Sequence, residues 1–358
     1  MNSAAKPNLR LAEPSELAKI GTFLAPLGGK FFRERFPDGT VEDFYRWKYF
    51  GNPLGNAIVA IAIAENSVVG VVAATPKRVS LLGRTVIAYE LGDFLTDGNY
   101  RKMGLFSQLI ELVCSEAGVR GSSFVYVRPN DVSFPILAGK LSFLEVQRID
   151  ARKFVIPSHT LSHKTGIPAS LLGLSGMDWF LKKLCVPKSS ASIVTVAEVE
   201  RFEETSEFWQ RASAGYDFTL VRDSSYLNWR FCDGPTPYRR WLAMRGGKMA
   251  GFLVTSADRS GRTAAVVDLF SESGDGEAVR ALLATGLGSL LRSGAQLIHT
   301  WSLQGPAQSA AQEGLRRAFP FRRKHHLHLA FRVLRPHEIS LPLPAQKWHF
   351  TLGDSDGA

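Results

Sequence analysis

A basic, glycine-containing loop leads into a segment with helical periodicity. The loop reads Asp97-Gly-Asn-Tyr-Arg101-Lys-Met-Gly104, and apolar residues then recur on one helical face, at Leu105, Leu109, Leu112 and Val113. The first N–H groups of a helix have no partner inside it, so they bind phosphate when the preceding loop is not bulky. Gly104 permits that close approach of the backbone, and Arg101 and Lys102 add positive charge. The pattern favours a phosphate-binding site, and the alternative is an ordinary strand-to-helix turn.

Two carboxylates, Glu90 and Asp93, lie on the strand-like segment before this loop. Either could act as a general base, directly or through water. The neighbours of Glu90 are apolar in part, a setting that raises the pKa of a carboxyl group. On a regular strand Glu90 and Asp93 would point to opposite faces, so only one should enter a given pocket. We expect Glu90 to be the base and Asp93 to be its rival; the alternative is that each carboxylate pairs with an arginine such as Arg84 or Arg128.

The segments around the loop predict a sheet flanked by helices. Helices are expected over 14–25 and 41–49, before three strand-like segments at 57–64, 68–82 and 84–95. The turns between these segments are short enough for antiparallel hairpins. After the loop and its helix, we expect a strand at 123–127, a helix at 131–140 and a strand at 143–155.

The order of these elements repeats in the second half of the chain. Residues 43–49 and 225–231 align aromatic for aromatic, and one offset of 182 residues separates both Trp47 from Trp229 and Pro53 from Pro235. Two copies of a βααβββαβαβ unit are therefore predicted, in domains 1–156 and 189–358. The linker 157–188 between them should contain a packed amphipathic helix over 177–184, for which a membrane-surface helix is the alternative.

Composition restricts the class of protein. The chain has 358 residues, 45% of them hydrophobic, and three widely separated cysteines with no metal-binding spacing. These features indicate a reducing compartment, and with no signal peptide or membrane span in view we expect a cytoplasmic protein. The net charge of +10 invites a nucleic-acid partner, but the basic residues are scattered and form no nucleic-acid-binding motif.

Two further groups of polar residues lie far from the glycine-containing loop, near the end of the sequence. His325, His326 and His328 lack a nearby acid in sequence, so we expect surface or core histidines and no metal site. Asp354 and Asp356 end the chain in a segment for which we expect solvent exposure, with a pocket cap or a cation site as alternatives.

The segment from Glu90 to Ser107 resembles the cofactor signature of the GNAT acetyltransferases, an extended strand followed by Arg/Gln-x-x-Gly-x-Gly/Ala at the start of a helix. Phe106 departs from the Gly or Ala of that pattern. The stretch from Asn130 to Phe143 is similar to a second family feature, an Asn that opens a helix ending in Gly-Phe, here with Ser in place of Gly. The closing residues are also similar to the ending of tandem-GNAT proteins linked to bacterial polysaccharide assembly.

The resemblance implies an α/β (α+β) fold of two tandem GNAT-like domains, each a mixed, mainly antiparallel sheet flanked by helices. It implies acetyl-CoA, or another acyl-CoA, as cosubstrate. The cofactor-binding residues that it implies are Phe94, Leu95, Thr96, Arg101, Lys102, Met103, Gly104, Leu105, Phe106, Ser107 and Asn130. Backbone N–H groups near Phe94 and Thr96 would also polarise the thioester carbonyl. Asn130 is equally interpreted as a helix cap, and Tyr126 is the candidate acid where the family's usual tyrosine is missing.

The predicted function is transfer of an acyl group, acetyl first, to a primary amine such as an amino sugar or another small amine. One alternative is a catalytically silent acyl-CoA-binding or scaffold protein. An aminoacyl-tRNA-dependent transferase is disfavoured, because it would not need the pyrophosphate loop. The oligomeric state is not predicted.

The second copy is expected to have lost its cofactor site. It carries Asp275 and Glu277 where a pyrophosphate would bind, and like charges repel. We expect residues 226–230 or the C-terminal tail of this copy to form part of the wall of an acceptor pocket. The alternative is that the aromatic residues of 226–230 belong only to the core of the second domain.

Overall fold

The structure is a computed structural model that describes residues 6–28, 40–156, 165, 167, 175–187, 193–203, 205–339, 343 and 346–356. The chain divides into two compact units. Unit 1 contains Met1–Arg148 and Leu327–Ala345, and unit 2 contains Ile149–His326 and Gln346–Asp356.

The helices and strands follow the predicted order. The elements in the first 156 residues are β1 (Asn8–Leu11), α1 (Leu17–Leu24), α2 (Val41–Phe50), β2 (Ile58–Ala64), β3 (Ser67–Leu81), β4 (Arg84–Thr96), α3 (Leu105–Val119), β5 (Phe124–Val127), α4 (Phe134–Lys140) and β6 (Leu144–Val155). The remaining elements are α5 (Ser175–Cys185), β7 (Val194–Val199), α6 (Ser206–Ser213), β8 (Phe218–Leu220), α7 (Ser224–Phe231), β9 (Tyr238–Arg245), β10 (Lys248–Ala257), β11 (Thr263–Ser271), α8 (Gly276–Arg292), β12 (Leu297–Leu303), α9 (Ala310–Ala318), β13 (Phe321–Arg322) and β14 (Leu327–Val333).

The sheet of unit 1 is mixed and mainly antiparallel. Strands β1 to β4 pair in sequence order as antiparallel neighbours, β4 pairs with β5 in parallel, and β5 pairs with β14 antiparallel. The two tight hairpins have positive φ at both central residues, Glu65 with Asn66 and Leu82 with Gly83. That geometry matches the twist of adjacent strands. The parallel pair instead needs a crossover, which α3 supplies.

The sheet of unit 2 has the same pattern. Strands β7, β9, β10 and β11 are successive antiparallel neighbours, β11 pairs with β12 in parallel, and β12 pairs antiparallel with Ile149–Val155 of β6. The crossover between β11 and β12 is α8. The predicted repeat of element order is therefore confirmed.

The compact units differ in one respect from contiguous domains. Strand β14 comes from the second half of the sequence but belongs to unit 1, and the end of β6 belongs to unit 2. The boundaries 1–156, 157–188 and 189–358 stay a prediction about duplicated domains. Each unit completes its own sheet with a strand from the other part of the sequence.

Helices cover both faces of the unit 1 sheet. On one face α3 buries its apolar residues, led by Leu109, Ile110 and Val113, against alternate residues of β2, β3, β4 and β5. On the other face α1 and α2 bury Ile20, Tyr45 and Tyr49 against residues that include Val71 and Ala73. A strand residue of unit 1 can therefore be assigned to the α3 face or to the α2 face.

Two predictions about local structure are corrected. The helix expected at 131–140 begins at Phe134, because a turn held by Asn130 occupies 131–133. The tail is not solvated: Trp348, His349 and Asp354 are at most 2% exposed. The amphipathic helix of the linker is present as α5, whereas most of 157–174 lies outside the described residues.

Candidate functional site

Helix α3 begins without a side-chain cap. Its N-cap residue is Gly104 with φ of 76°, and its first turn contains no acidic residue. The Gln108 N–H donates to Gly104 O at 3.1 Å and is the first to find a helical acceptor. The N–H groups of Leu105, Phe106 and Ser107 are thus left for a ligand at the positive end of the helix dipole.

The loop before α3 keeps this end accessible. Asp97 turns the loop by accepting a hydrogen bond from the Asn99 N–H at 2.9 Å. Arg101, Lys102 and Met103 are exposed, and Lys102 has a φ of 68°, a left-handed conformation that is uncommon outside glycine. At Gly104 a β-carbon would meet only the end of the Gln108 side chain, at 3.4 Å. Two positive charges therefore flank an open helix terminus.

Strand β4 separates from β5 next to this terminus. Their registered pairing covers Ala88–Leu91 against Phe124–Val127 and then stops, although β4 continues to Thr96. Among the described residues no strand lies along the β5 side of β4 beyond Leu91. Such an edge offers backbone donors and acceptors to an extended ligand. The residues Gly92 to Thr96 on this edge are all half-buried.

An aromatic contact joins the open edge to the helix. The rings of Phe94 on β4 and Phe106 in the first turn of α3 meet edge-to-face, with centroids 5.4 Å apart. Leu95 packs instead with the α2 side of the sheet. Of the predicted cofactor residues, Phe94 and Phe106 are thus brought together, and Phe106 occupies a defined place despite its departure from the family pattern.

Glu90 is buried beside a lysine that the sequence analysis did not single out. Its carboxylate, in a side chain 7% exposed, lies 3.6 Å from Nζ of Lys77 on β3. In register, Glu90 is opposite Thr75 on β3 and Tyr126 on β5, so these side chains share one face of the sheet. Arg128 follows directly after β5, and its charge interacts with that of Glu90. Burial lowers the pKa of Arg128, while the charge of Glu90 opposes that shift.

Asp93 is engaged by α2. Its Oδ2 accepts hydrogen bonds from Lys48 Nζ at 2.7 Å and from the Tyr49 hydroxyl at 2.8 Å. Lys48 and Tyr49 are both almost fully buried. Neither Arg84 nor Arg128 is the partner found for Asp93, so the expected kind of ion pair is present with a different cation.

The prediction that Glu90 and Asp93 face opposite sides is wrong, because β4 is not regular there. Val71 pairs with Leu95 and Ala73 with Gly92, so β4 contains an extra residue in a bulge, where Asp93 has a φ of 53°. A bulge resets the alternation of side chains. Both carboxylates consequently lie on the α2 face of the sheet.

Tyr126 and Asn130 have structural contacts. Tyr126 is 1% exposed, and its ring packs near Phe124 and Phe331. Asn130 Oδ1 accepts hydrogen bonds from the N–H groups of Val132 and Ser133 at 3.0 and 2.9 Å. Asn130 therefore holds the turn before α4 and is not the cap of that helix, whose N-cap residue is Ser133; its exposed position leaves the predicted role at the cofactor open.

The side chains that sequence reasoning missed are cations and a tyrosine. Lys77 carried one signal, as a lysine inside the apolar run of 68–82. A buried lysine requires a carboxylate partner, and Glu90 is the acid that hairpin pairing brings nearest. Lys48 and Tyr49 carried no such signal, because only tertiary packing brings α2 to the bulge.

The equivalent helix in unit 2 caps itself. The carboxylate of Asp275 accepts a hydrogen bond from the Ala278 N–H at 3.0 Å, and Arg245 binds Asp275 at 2.7 and 2.9 Å and Glu277 at 3.1 Å. Burial would raise the pKa of Asp275, but Arg245 and the helix N–H hold it below its ordinary value. The first turn of α8 thus presents carboxylates where α3 presents free N–H groups.

His328 is bound within unit 1. Its Nδ1 lies 2.5 Å from Glu145 Oε1, and its ring stacks on Phe134 with centroids 4.0 Å apart. The acid that the sequence did not place near this histidine is therefore supplied by β6. The same carboxylate also accepts from Arg148 Nε at 2.8 Å, so Glu145 binds a cationic side chain as well as the histidine.

The region around this site matches the sequence model of a known family. Residues 30–137 match the family model described as "Acetyltransferase (GNAT) domain". The matched range includes Glu90, the β4 bulge and the start of α3. No curated protein matches the sequence.

Solved structures share the fold over most of the chain. A probable N-acyltransferase of unknown function from Enterococcus faecalis V583 is 13% identical, with a TM-score of 0.60 over 92% of this chain and 73% of that one. A GCN5-related N-acetyltransferase from Anabaena variabilis is 13% identical, with a TM-score of 0.61 over 91% and 73%. N-myristoyltransferase from Saccharomyces cerevisiae, with bound myristoyl-CoA, is 11% identical, with a TM-score of 0.58 over 92% and 84%.

Within the described part of the chain, no helix combines the length and the apolar character needed to cross a membrane.

Proposed function

We propose that this chain, an acyl-CoA-dependent N-acyltransferase with a GNAT domain, transfers an acetyl group to the primary amine of a small acceptor such as an amino sugar. The acyl-CoA would lie with its pyrophosphate at the start of α3 and its pantetheine arm along the open edge of β4. The amine would approach Glu90 from the α2 face of the sheet.

One observation carries this proposal: the uncapped N-terminus of α3 lies next to the edge of β4 that no longer pairs with β5. The helix supplies N–H donors for phosphate, and the edge supplies backbone groups for an amide-containing arm. The contact between Phe94 and Phe106 fixes the distance between the two. Arg101 and Lys102 add charge that favours a polyanionic ligand.

The chemistry needs little from side chains. The neutral amine attacks the thioester carbon, the C–N bond forms and the C–S bond breaks, and backbone N–H groups near Phe94 and Thr96 stabilise the oxyanion. Glu90 would accept the ammonium proton, directly or through water, and the thiolate leaves with a proton from solvent or from Tyr126. Of the two carboxylates, Asp93 is held in place by hydrogen bonds from Lys48 and Tyr49, which fits a structural role.

The ion pair with Lys77 bears on the choice between an enzyme and a silent binder. The Lys77 ammonium group lies 3.6 Å from the Glu90 carboxylate, so Glu90 already has a structural role as the partner of a buried cation. A catalytically silent acyl-CoA-binding protein is therefore the second candidate function. The two are separated by turnover with an amine acceptor, and not by acyl-CoA binding.

Residues 226–230 of the second copy do not support the expected acceptor pocket. Trp229 and Arg230 are buried within unit 2, where Arg230 donates to the Tyr238 hydroxyl at 2.9 Å and to Ser355 O at 3.0 Å. Trp229 and Arg230 belong to the core of unit 2, as the alternative interpretation held.

We propose that the protein is located in the cytoplasm, supported by three free cysteines.

Gly104→Asp tests the acyl-CoA site with Gly104→Asn as its matched control. Both residues have similar size, and Asn in particular accepts a positive φ. Asp places at α3 the charge that Asp275 places at α8, so acetyl-CoA binding should weaken by about tenfold or more relative to the Asn variant. Calorimetry on the full chain measures the difference. Equal affinities of the two variants would place the pyrophosphate elsewhere.

A further inference from the structure

Helix α5 turns its large apolar side chains outward. Of its described side chains, Cys185 is fully buried, and Leu181 packs at the margin of the unit 2 core. The exposed residues are Met177 at 50%, Trp179 at 61%, Phe180 at 57% and Leu184 at 65%. Clustered exposure of this kind in one short helix marks an interaction surface rather than scattered surface residues.

The exposed side chains are ordered along the helix. Met177, Phe180 and Leu184 follow the spacing of one helical face and form a single stripe. Trp179 and Lys183, four residues apart, flank the stripe, and Lys183 Nζ lies 4.7 Å from the centre of the indole ring. The helix thus presents an apolar ridge with a tryptophan and a cation at its border.

The surroundings of the ridge are basic. Lys182 and Lys183 are exposed on α5 itself. A cavity of about 250 Å³ beside the end of the helix is lined by Leu184 and by Arg280 and Arg317. The only acids of α5 and of this cavity are Asp178 and Glu313, and Glu313 is paired with Arg317 at 2.5 Å.

We propose that α5 docks unit 2 on an anionic phospholipid surface. A helix with tryptophan, phenylalanine and leucine on one side and lysines beside them lies in the plane of the membrane interface, with its apolar side among the acyl chains. Tryptophan favours that interface, and lysine side chains reach up to the phosphates. Helix α5 has 11 residues, which suits lying on a bilayer and not crossing it.

Charge complementarity selects this occupant over a second copy of the chain. The protein carries a net charge of +10, so two basic ridges brought together would repel each other. A leaflet of anionic lipid attracts each lysine or arginine near its surface. The inference goes beyond acyl transfer and does not depend on Glu90 or on the start of α3.

Flotation of the full-length protein with vesicles tests the surface. Wild type should bind vesicles of phosphatidylcholine with phosphatidylglycerol, but not pure phosphatidylcholine. The double variant Trp179→Ser with Phe180→Ser should bind about tenfold more weakly or worse, because the apolar area that enters the interface is lost. Val119→Ser, which alters a residue 79% exposed on α3, should bind as wild type does.

The electrostatic part has its own matched pair. Lys182→Gln with Lys183→Gln should weaken binding to the anionic vesicles, whereas Lys6→Gln with Lys248→Gln, which removes two exposed charges elsewhere, should do so much less. Acetyl-CoA binding by every variant should equal that of wild type, which separates this test from the proposed function.

Three results would overturn the inference. The first is no binding of wild type to anionic vesicles, and the second is binding that survives the Trp179 and Phe180 changes. The third is self-association of wild type in light scattering that those changes abolish while vesicle binding is absent, which would make the ridge a dimer interface.

Discussion

Helices α3 and α8 occupy the same place in two sheets of the same strand order, but their N-termini are opposites. Helix α3 starts at Gly104 with no side-chain cap and no acid in its first turn, behind the exposed Arg101 and Lys102. Helix α8 starts at Asp275, which caps it and is bound by Arg245. One terminus is open to an anion, and the other already has one from its own chain.

The strands before these helices differ in the same way. Both β4 and β11 contain a bulge near the end of their parallel pairing. In unit 2 the C-terminal tail covers that bulge: the Thr351 hydroxyl donates to Asp268 Oδ1 at 3.0 Å, and Gly353 packs against Val267 and Asp268. Within unit 1, residues 92–96 of β4 are half-buried and pair with β3 on one side, but on the β5 side they lie beside no strand that the structure describes.

The comparison shows how one fold can serve as a site or as a scaffold. A bulged strand and a helix N-terminus create unsatisfied polar groups in any copy of the unit. Unit 2 satisfies them with Asp275 and the tail, whereas α3 of unit 1 has no side-chain cap, and we propose that a ligand satisfies them there. Substitutions in the covered parts of unit 2 and in the open site of unit 1 should therefore change stability or activity by very different amounts.

The largest expected effect is on the stability of unit 2. Arg222 is fully buried and binds both Asp268 at 3.0 Å and Asp354 at 2.7 Å. Arg222→Leu leaves two buried carboxylates without their cation and should lower the free energy of unfolding by about 3–5 kcal/mol. Chemical unfolding followed by circular dichroism measures it. Arg201→Leu, which breaks an exposed pair with Asp233, is the control and should change little; similar losses for both variants would contradict the role of the tail in sealing unit 2.

The next largest effect concerns the open unit. Glu90→Gln keeps size and hydrogen bonding but cannot accept a proton, so turnover should fall by about a hundredfold near neutral pH. Acetyl-CoA affinity should not change, and the loss should shrink at high pH, where the amine is already neutral. Steady-state kinetics across pH measure both. If Asp93→Asn gives that pattern and Glu90→Gln does not, the base is the residue on the bulge.

A smaller effect is expected where the tail touches the bulge of β11. A β-carbon at Gly353 would lie 3.0 Å from Phe231, 3.1 Å from Asp268 and 3.3 Å from Val267 O. Gly353→Ala should therefore cost about 1–3 kcal/mol of stability through overpacking. Gly118→Ala on α3 meets nothing within 4 Å and serves as the matched control. Thermal melts of the two variants decide, and a neutral Gly353→Ala would show that the tail packs loosely.

The smallest effect is a pH dependence of unit 2. Burial lowers the pKa of His349, and the carboxylate of Asp268, 3.9 Å from Nε2, only partly opposes that shift. The folded protein thus binds the proton less well than the unfolded chain, so stability is full above about pH 6.5 and falls below it. Arg222 outweighs burial and lowers the pKa of Asp268, which adds a further loss as pH drops below 3.8. His349→Phe, which keeps the aromatic packing against Phe270, should flatten the first loss in melts between neutral and mildly acidic pH.

The sequence predicted the polar loop at 97–104 because its signals are local. Glycine, two cations and the start of an apolar period stand within a few residues, and the structure forms α3 there from Leu105 onward. The sequence equally predicted that Asp275 and Glu277 stand at the corresponding position of the second copy, because they too lie close together in the chain. The partners of Glu90 and Asp93 were not, because Lys77 and Lys48 come from other elements and the bulge in β4 leaves no mark in the sequence.

By itself, the sequence determined the order of the elements, the repeat of that order and the difference between the two helix starts. Each depends on periodicity or on residues adjacent in the chain. Tertiary structure decided which strand completes each sheet, which face of β4 Asp93 occupies, and that the tail from Trp348 to Asp356 is buried in unit 2. These depend on contacts between distant segments, where the burial of apolar surface and the pairing of buried charges outweigh local preference.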